Sequence, residues 1–593
     1  MSGHLYDLGI IGNCAFNALI DKKASIKWLC WPKYDSSFVF GSLLDENKGG
    51  SFDILPSEGE FETDQYYLKN TNVLKTRFTT STGSFQVTDF APRFENFERF
   101  FKPLMLIRKL EPLAGNPRIR VSCKPKGEYG SLEPNVKMGS NHLRYIGLED
   151  NLRLTTDISH YLINESREFV LSQTRYLVLT YGIPLEGPLE TTVETFLQKT
   201  TQYWRNWVKS CSIGNIWQEE VIRSALTLKM HQFEDTGAII ASCTTSLPEH
   251  PGSTRNWDYR YCWMRDSYYT LKAFYQIGHF HELEQYSTYI ENLKPDENGL
   301  YGPVYSLLGD QNFDEEILDL EGYLGNKPVR IGNQAREHVQ NDVYGQILVS
   351  ITPLYTDQRF TTRSLSRGKR LIMSLLKAIE KTMDEPDAGL WELRNSSQRH
   401  CYTFLFHWAG TKAAIKIAKT RKDNDMLEYA EKLNVMASAQ IERCYKSDIN
   451  AYAQCIETSN LDAAQLQLIT MGYLDPNEKR THKHLEAIEK ELKTPEGLLY
   501  RYKHQDDFGL PQSTFLICSY WYAEALAVVG RVDDAIEQME NLLQYQNHLG
   551  LLSEDVDAKT GSQWGNFPQT YSHVGLMNAA FKISNKLDKP EFL

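Results

Sequence analysis

The hydrophobic period of the chain changes near residue 190, and that change divides it into two differently built halves. Over the first ~200 residues apolar and polar side chains alternate, the period of a strand with one face in a core. The stretch NVLKTRFTTSTGSFQVTDFAPRF alternates β-branched or aromatic residues with polar ones around a Ser-Thr-Gly turn, and RIRVSCKP, LRLTTDIS and YLVLTYGI repeat the pattern. Turn signals at short intervals between such runs suit an antiparallel β-sandwich. TTVETFLQKTTQYWRNWVKS then reads as a helix bridging the halves, and beyond about residue 216 the period is helical. In DDAIEQMENLLQYQ, Ala535, Met539, Leu542 and Leu543 fall on one helical face, with Asp533 as the expected N-cap. The preceding helix, through LICSYWYAEALAVV, stops at Gly530. About a dozen such segments are visible by this period, enough to close into a double ring of six inner and six outer helices. A solenoid would show a fixed repeat, and none is seen.

Charge excludes several partners. The net charge is −12, and no basic run exceeds a few residues. Neither nucleic acid nor an anionic membrane surface is expected to bind such a chain. No apolar run is long enough for a transmembrane helix. The opening MSGHLYDLGIIGNCAFNALI lacks the basic n-region of a secretory signal. The 10 cysteines are scattered, with no Cys-x-x-Cys pair, and read as buried free thiols and not as a zinc site. A cytoplasmic protein is the expectation. No Walker A, GxSxG, HExxH or dinucleotide-binding fingerprint occurs, so neither a cofactor nor a metal is expected. Aromatic residues make up 12% of the chain, with 33 tyrosines and 11 tryptophans. Sugar rings stack on such side chains, although a large aromatic core would leave the same composition.

Four polar-aromatic clusters lie in loops of the helical half, where function concentrates. RNWDYRYCWMRDS (255–267) carries Trp257, Tyr259, Tyr261 and Trp263 just before a helix. Its Arg265–Asp266 pair could grip one glucose ring, since Arg donates a fork to hydroxyls and Asp accepts from two. An exposed salt-bridged turn is the alternative, but so many aromatics would be unusual on one. In GNQAREHVQNDVYG (332–345), Gln340, Asn341 and Asp342 open a helix and offer hydroxyl-binding groups, while His338 reads as a packing or surface residue. AGLWELRNSSQRHCYTF (388–404) places Glu392 after Trp391. A carboxyl packed against an indole would be desolvated and stay protonated, as a general acid must; an ordinary glutamate at a helix start fits equally. HLGLLSEDVDAKTGSQWGNFPQTYSHVGL (548–576) sets Glu554 and Asp555 in a Gly-rich loop. A carboxylate in a polar, partly wet loop would stay ionised and could activate water. His573 is either a site partner or core. Arg501, in YRYKHQDDFG, is a further candidate sugar binder.

With these clusters in order, the chain resembles glycoside hydrolase family 15, the glucoamylase-like family, in its bacterial and archaeal branch of glucoamylases, glucodextranases and trehalases. YDLGIIGNCAFNALIDKKASIKWLCWPKYDSSFVFGSLLD is similar to that branch's N-terminal domain. NWDYRYCWMRDS, PVRIGNQA, GLWELR and GLLSEDVD with GNFPQTYSHVGL are similar to its catalytic motifs. The resemblance implies an N-terminal antiparallel β-sandwich, a helical linker and an (α/α)6 barrel, expected over 1–188, 189–215 and 216–593. It implies inversion at the anomeric carbon, with Glu392 as general acid and Glu554 as general base. Tyr259, Trp263, Arg265 and Asp266 match residues around the nonreducing glucose, and Gln340, Asp342, Trp391 and Arg501 match further sugar-binding positions. An inverting pair needs room for a water, so carboxyl groups ~6.5–9.5 Å apart are expected. One position departs from the fungal glucoamylases, which carry a second acidic residue directly after the acid; here it is Leu393.

The expected activity is therefore exo-acting, releasing β-glucose from α-gluco-oligosaccharides. A trehalase would use the same acid and base, and a phosphorylase would use phosphate in place of the base. A non-catalytic carbohydrate-binding protein would usually have lost one of the two carboxylates. Oligomeric state is not legible, nor is whether Trp28 and Trp31 of the N-terminal half reach the site.

Overall fold

The computed structural model describes residues 3–57, 59–360 and 365–588. The alternating half forms two antiparallel sheets. One has seven strands, with Leu8–Gly12, Asn17–Asp21, Ile26–Cys30, Ser51–Pro56, Arg118–Lys124 and Phe169–Val170 in spatial order and Phe38–Phe40 paired beside Ile26–Cys30. The other has eight, running from Asn135–Met138 at one edge to Phe61–Tyr67 at the other. Strands such as Leu74–Thr80 bury every second side chain, as the sequence alternation requires. Arg108 crosses between the sheets. It pairs with Asp89 of its own sheet at 2.7 Å, donates to the Phe52 carbonyl of the other at 2.7 Å, and caps the Ala24 carbonyl.

Helix Leu189–Lys209 follows, buried along Val193, Thr200, Trp204, Trp207 and Val208. Beyond it the helices form an (α/α)6 barrel. The inner ring is Met264–Gln276, Val343–Thr356, Cys401–Arg421, a short helical pair over 463–470, Leu516–Val528 and Thr570–Leu587, each packed on the next and the last on the first. The outer ring is Gln218–His231, Phe280–Asn292, Leu365–Thr382, Asn424–Arg443, Lys479–Leu492 and Val532–Leu543. Burial explains the two roles. Leu516–Val528 is buried on all sides from Leu516 to Ala527, whereas Val532–Leu543 buries one stripe of Ala535, Gln538, Met539 and Leu542. The N-cap position of that outer helix is Arg531, and Asp533, expected there, lies inside the first turn two residues later; Gly530 does terminate the helix before it, at φ +89°. Two inner helices approach closely at Gly345, where an added Cβ would fall 2.0 Å from the Phe406 carbonyl oxygen.

The main apolar core runs from the sandwich into the barrel. Trp28 sits in it, 1% exposed, with its N–H donated to the Cys243 carbonyl at 2.7 Å, and Trp31 packs on Phe16 and Tyr181. Neither reaches the cleft described below. Their half instead backs the 255–267 loop: Arg260, fully buried, bonds Asp258 at 2.6 Å and the Ser36 carbonyl at 2.8 Å. All ten cysteines are free, nine of them buried. Among the described residues no helix is long and apolar enough to cross a membrane.

Candidate active site

The loops that precede the inner helices converge on one cleft. Tyr259, Trp263, Arg265, Asp266, Trp391, Glu392, Arg501 and Glu554 all line it. Gln340 and Asp342 do not. Gln340 stands behind the wall, accepting from Arg265 Nη1 at 2.8 Å and donating to Glu392 Oε1 at 3.2 Å. Asp342 is buried deeper, bonded to Gln346 at 2.6 Å, so direct sugar binding by its carboxylate does not fit the geometry.

Glu392 sits on a turn stapled by Leu393 N–H to the Ala388 carbonyl at 3.1 Å. Its backbone is left-handed, φ +60°, a conformation non-glycine residues adopt at a cost. Asp387 holds the base of that turn, accepting from Gly389 N at 3.0 Å, Asn341 N at 2.7 Å and Thr403 Oγ1 at 2.9 Å. The Glu392 carboxyl does not pack on Trp391 as its neighbour in sequence suggested. Trp391 donates to Asp462 at 3.0 Å and its ring lies among Tyr502, Phe515 and Trp521. The indole that meets Glu392 is that of Trp263, whose N–H donates to Oε1 at 2.7 Å, joined by Arg265 Nη2 at 3.2 Å.

Glu554 ends a loop fixed by a three-stranded sheet of Thr514–Phe515, Asp555–Val556 and Gln563–Trp564. The carboxyl is buried, 2% exposed, where a partly wet loop was expected. It accepts from Tyr259 Oη at 2.9 Å and from Asn566 N at 3.3 Å. Burial pushes its pKa up to about 8, the nearby Glu249 adds to the rise, and Tyr259 and Arg501 oppose it. Glu249, Glu554 and Asp555 bring carboxylate oxygens within 4.8 Å of one another, the only grouping among the described residues with metal-ligand spacing. The Arg501 guanidinium already supplies cationic charge there, bonded to Glu249 at 2.6 Å. Burial also pushes Asp266 up to about 7, while Arg265 pulls it down.

Several cleft residues escaped the sequence reading. Glu249 lies in SLPEHPG, outside every cluster, and carries no local signal. Asp507 and Arg394 also line the cleft, and the Asp507 carboxylate accepts from the backbone of Arg394 at 2.5 Å and of Asn395 at 3.3 Å. Arg394 forks Glu315 at 2.8 and 3.3 Å and lies over Trp257, 4.5 Å from the ring centre. Asp507 was visible in YRYKHQDDFG, but only the fold reveals what it faces. His573 is core, bonded to Ser224 at 3.0 Å and to Leu552 N at 3.3 Å.

Likeness to known proteins covers the whole chain. Residues 4–175 match the family described as "Trehalase-like, N-terminal". A trehalase of Thermoplasma volcanium is 32% identical over 591 residues, 98% of this chain and 94% of that one. A trehalase of Mycobacterium tuberculosis is 30% identical, covering 97% of this chain and 89% of its own. A bacterial glucoamylase solved with acarbose superposes with a TM-score of 0.70 at 15% identity, over 98% of this chain and 94% of that structure, which shows a shared fold. Residues 215–581, the barrel and its cleft, match the family described as "Glycosyl hydrolases family 15", and the chain is a glycoside hydrolase belonging to that family.

Proposed function

We propose that the protein is an inverting trehalase, hydrolysing α,α-trehalose to one α- and one β-glucose. The observation that carries the substrate is the full-length likeness to proteins named trehalase, through both the sandwich and the barrel. This replaces the α-gluco-oligosaccharide expected from sequence, which the glucoamylase likeness supports only at the level of fold.

In this reading Glu392 protonates the glycosidic oxygen and Glu554 takes the proton of a water attacking the opposite face, across the ~6.5–9.5 Å that inversion needs. Trp263 and Arg265 hold Glu392 Oε1, leaving Oε2 to carry the proton toward the bond. Tyr259 orients Glu554. Asp266, Arg265 and Arg501 bind the retained glucose, and Trp391 walls it; Gln340 acts through Arg265. Ten free thiols suit a reducing cytoplasm.

The test is a panel of trehalose, maltose, isomaltose and maltotriose with the first-formed anomers read by NMR. Equal initial α- and β-glucose from trehalose is expected. Exclusively α-glucose would refute inversion, and cleavage of the maltose series without trehalose would restore the oligosaccharide reading.

A further inference from the structure

Resting on the reading above, we propose that His338 recognises a hydroxyl of the leaving sugar and so helps set which second sugar the enzyme accepts. His338 lines the cleft, and both its ring nitrogens are shielded from bulk solvent without a hydrogen-bond partner in the protein. A partly buried imidazole on a ligand cleft, with neither nitrogen partnered in the protein, is suited to a ligand's polar group. Burial holds the imidazole toward its neutral form, with one nitrogen a donor and the other an acceptor. A sugar hydroxyl both gives and takes a hydrogen bond, so either tautomer can meet it.

Position selects the leaving sugar. The charged groups acting most strongly on His338 are Glu392, Arg394, Glu337 and Asp507. It lines the cleft beside the turn that carries the candidate acid, together with Leu393, Arg394 and Asp507. The segment is fixed to the acid's own turn: Ala388 N–H donates to the Val339 carbonyl at 2.9 Å, and His338 N–H to the Ala335 carbonyl at 3.0 Å. Its neighbours on that side are already engaged. Arg394 is forked to Glu315, and Asp507 holds the 394–395 backbone. Leu393 offers the second sugar no polar side-chain atom, so on this side of the cleft that role passes to His338.

The experiment compares two substrates of the full-length protein: the disaccharide it cleaves, and α-glucosyl fluoride, which has no second sugar. His338→Ala is expected to lower kcat/KM on the disaccharide about tenfold or more while leaving the fluoride within about twofold. His338→Asn, which keeps one donor and one acceptor, should recover part of the loss. Equal losses on both substrates, or no loss on the disaccharide, would overturn the assignment. If maltose is cleaved and trehalose is not, the trehalase reading falls and the His338 ratio is read on maltose. If no α-glucoside is cleaved, both fall.

Discussion

Arg501 forks Glu249, with Nη2 2.6 Å from Oε2 and Nη1 3.4 Å from Oε1, and through Glu249 it sets the charge around Glu554. Glu249 raises the Glu554 pKa, Arg501 and Tyr259 lower it, and burial outweighs them, leaving it at about 8. A base works ionised, so in the empty cleft kcat/KM should fall as pH drops below that value. Glu249→Gln removes a negative charge and frees Arg501 to act on Glu554. Both effects stabilise the carboxylate. The acid limb of the kcat/KM profile is therefore expected to move to lower pH, by about one unit. A limb that stays in place while activity falls would reduce Glu249 to a packing role.

The two candidate glutamates should separate on a substrate that needs no acid. Fluoride leaves α-glucosyl fluoride without protonation, so Glu392→Gln is expected to lose about 10²–10⁴-fold on the disaccharide and much less on the fluoride. Glu554→Gln should lose about as much on both, because each needs the activated water. Stopped initial rates on the two substrates check this, and the reverse pattern would exchange the roles of the two residues.

The two halves were legible because strand and helix periods differ so plainly; which helices form the inner ring was not, and it shows in the structure as burial on all sides, as over Leu516–Ala527. The site was legible where motif residues face the cleft from loops just before inner helices, as Tyr259, Trp263, Arg265 and Asp266 do. What failed was inference from sequence neighbours. Trp391 precedes Glu392 but turns toward Asp462, because the left-handed backbone at Glu392 sends the two side chains to different partners. Glu554 looked solvated in a Gly-rich loop, yet the closed barrel and Tyr6, which bonds the Gly565 carbonyl at 3.0 Å, bury it. Glu249 meets Arg501 only through the fold, which no period or motif encodes.

Arg108 offers a test of the sandwich that leaves the cleft alone. It and Asp89 are both fully buried, and its remaining donors serve carbonyls of the opposite sheet. Arg108→Ala strands the Asp89 carboxylate and two carbonyls, a change expected to cost about 3–5 kcal/mol. The melting temperature should fall markedly. Because Arg260 ties the cleft loop to Ser36 of the same half, activity should be lost at a lower temperature than in the unaltered protein, while kcat at low temperature is kept. A Tm within about 1 °C of the original would contradict the bridging role, given the size of a buried-pair loss.

Gly565 places the strictest steric limit on the candidate base. Its φ is +75°, and an added Cβ would lie 2.6 Å from both Cβ and Oε2 of Glu554 and 3.0 Å from Asp555 Oδ2. Those distances leave no room for a methyl group unless the backbone at Glu554 shifts and carries the carboxyl away from Tyr259. Alanine would also carry a left-handed backbone at about 1–2 kcal/mol. Gly565→Ala is thus expected to lower Tm modestly but to lower kcat by about 10²-fold, the scale on which a small misplacement of a reacting group is felt. KM should move little, since Arg265, Asp266 and Arg501 are untouched. A fall in Tm with kcat unchanged would mean that Glu554 accommodates the methyl group and that its orientation by Tyr259 is not what the reaction depends on.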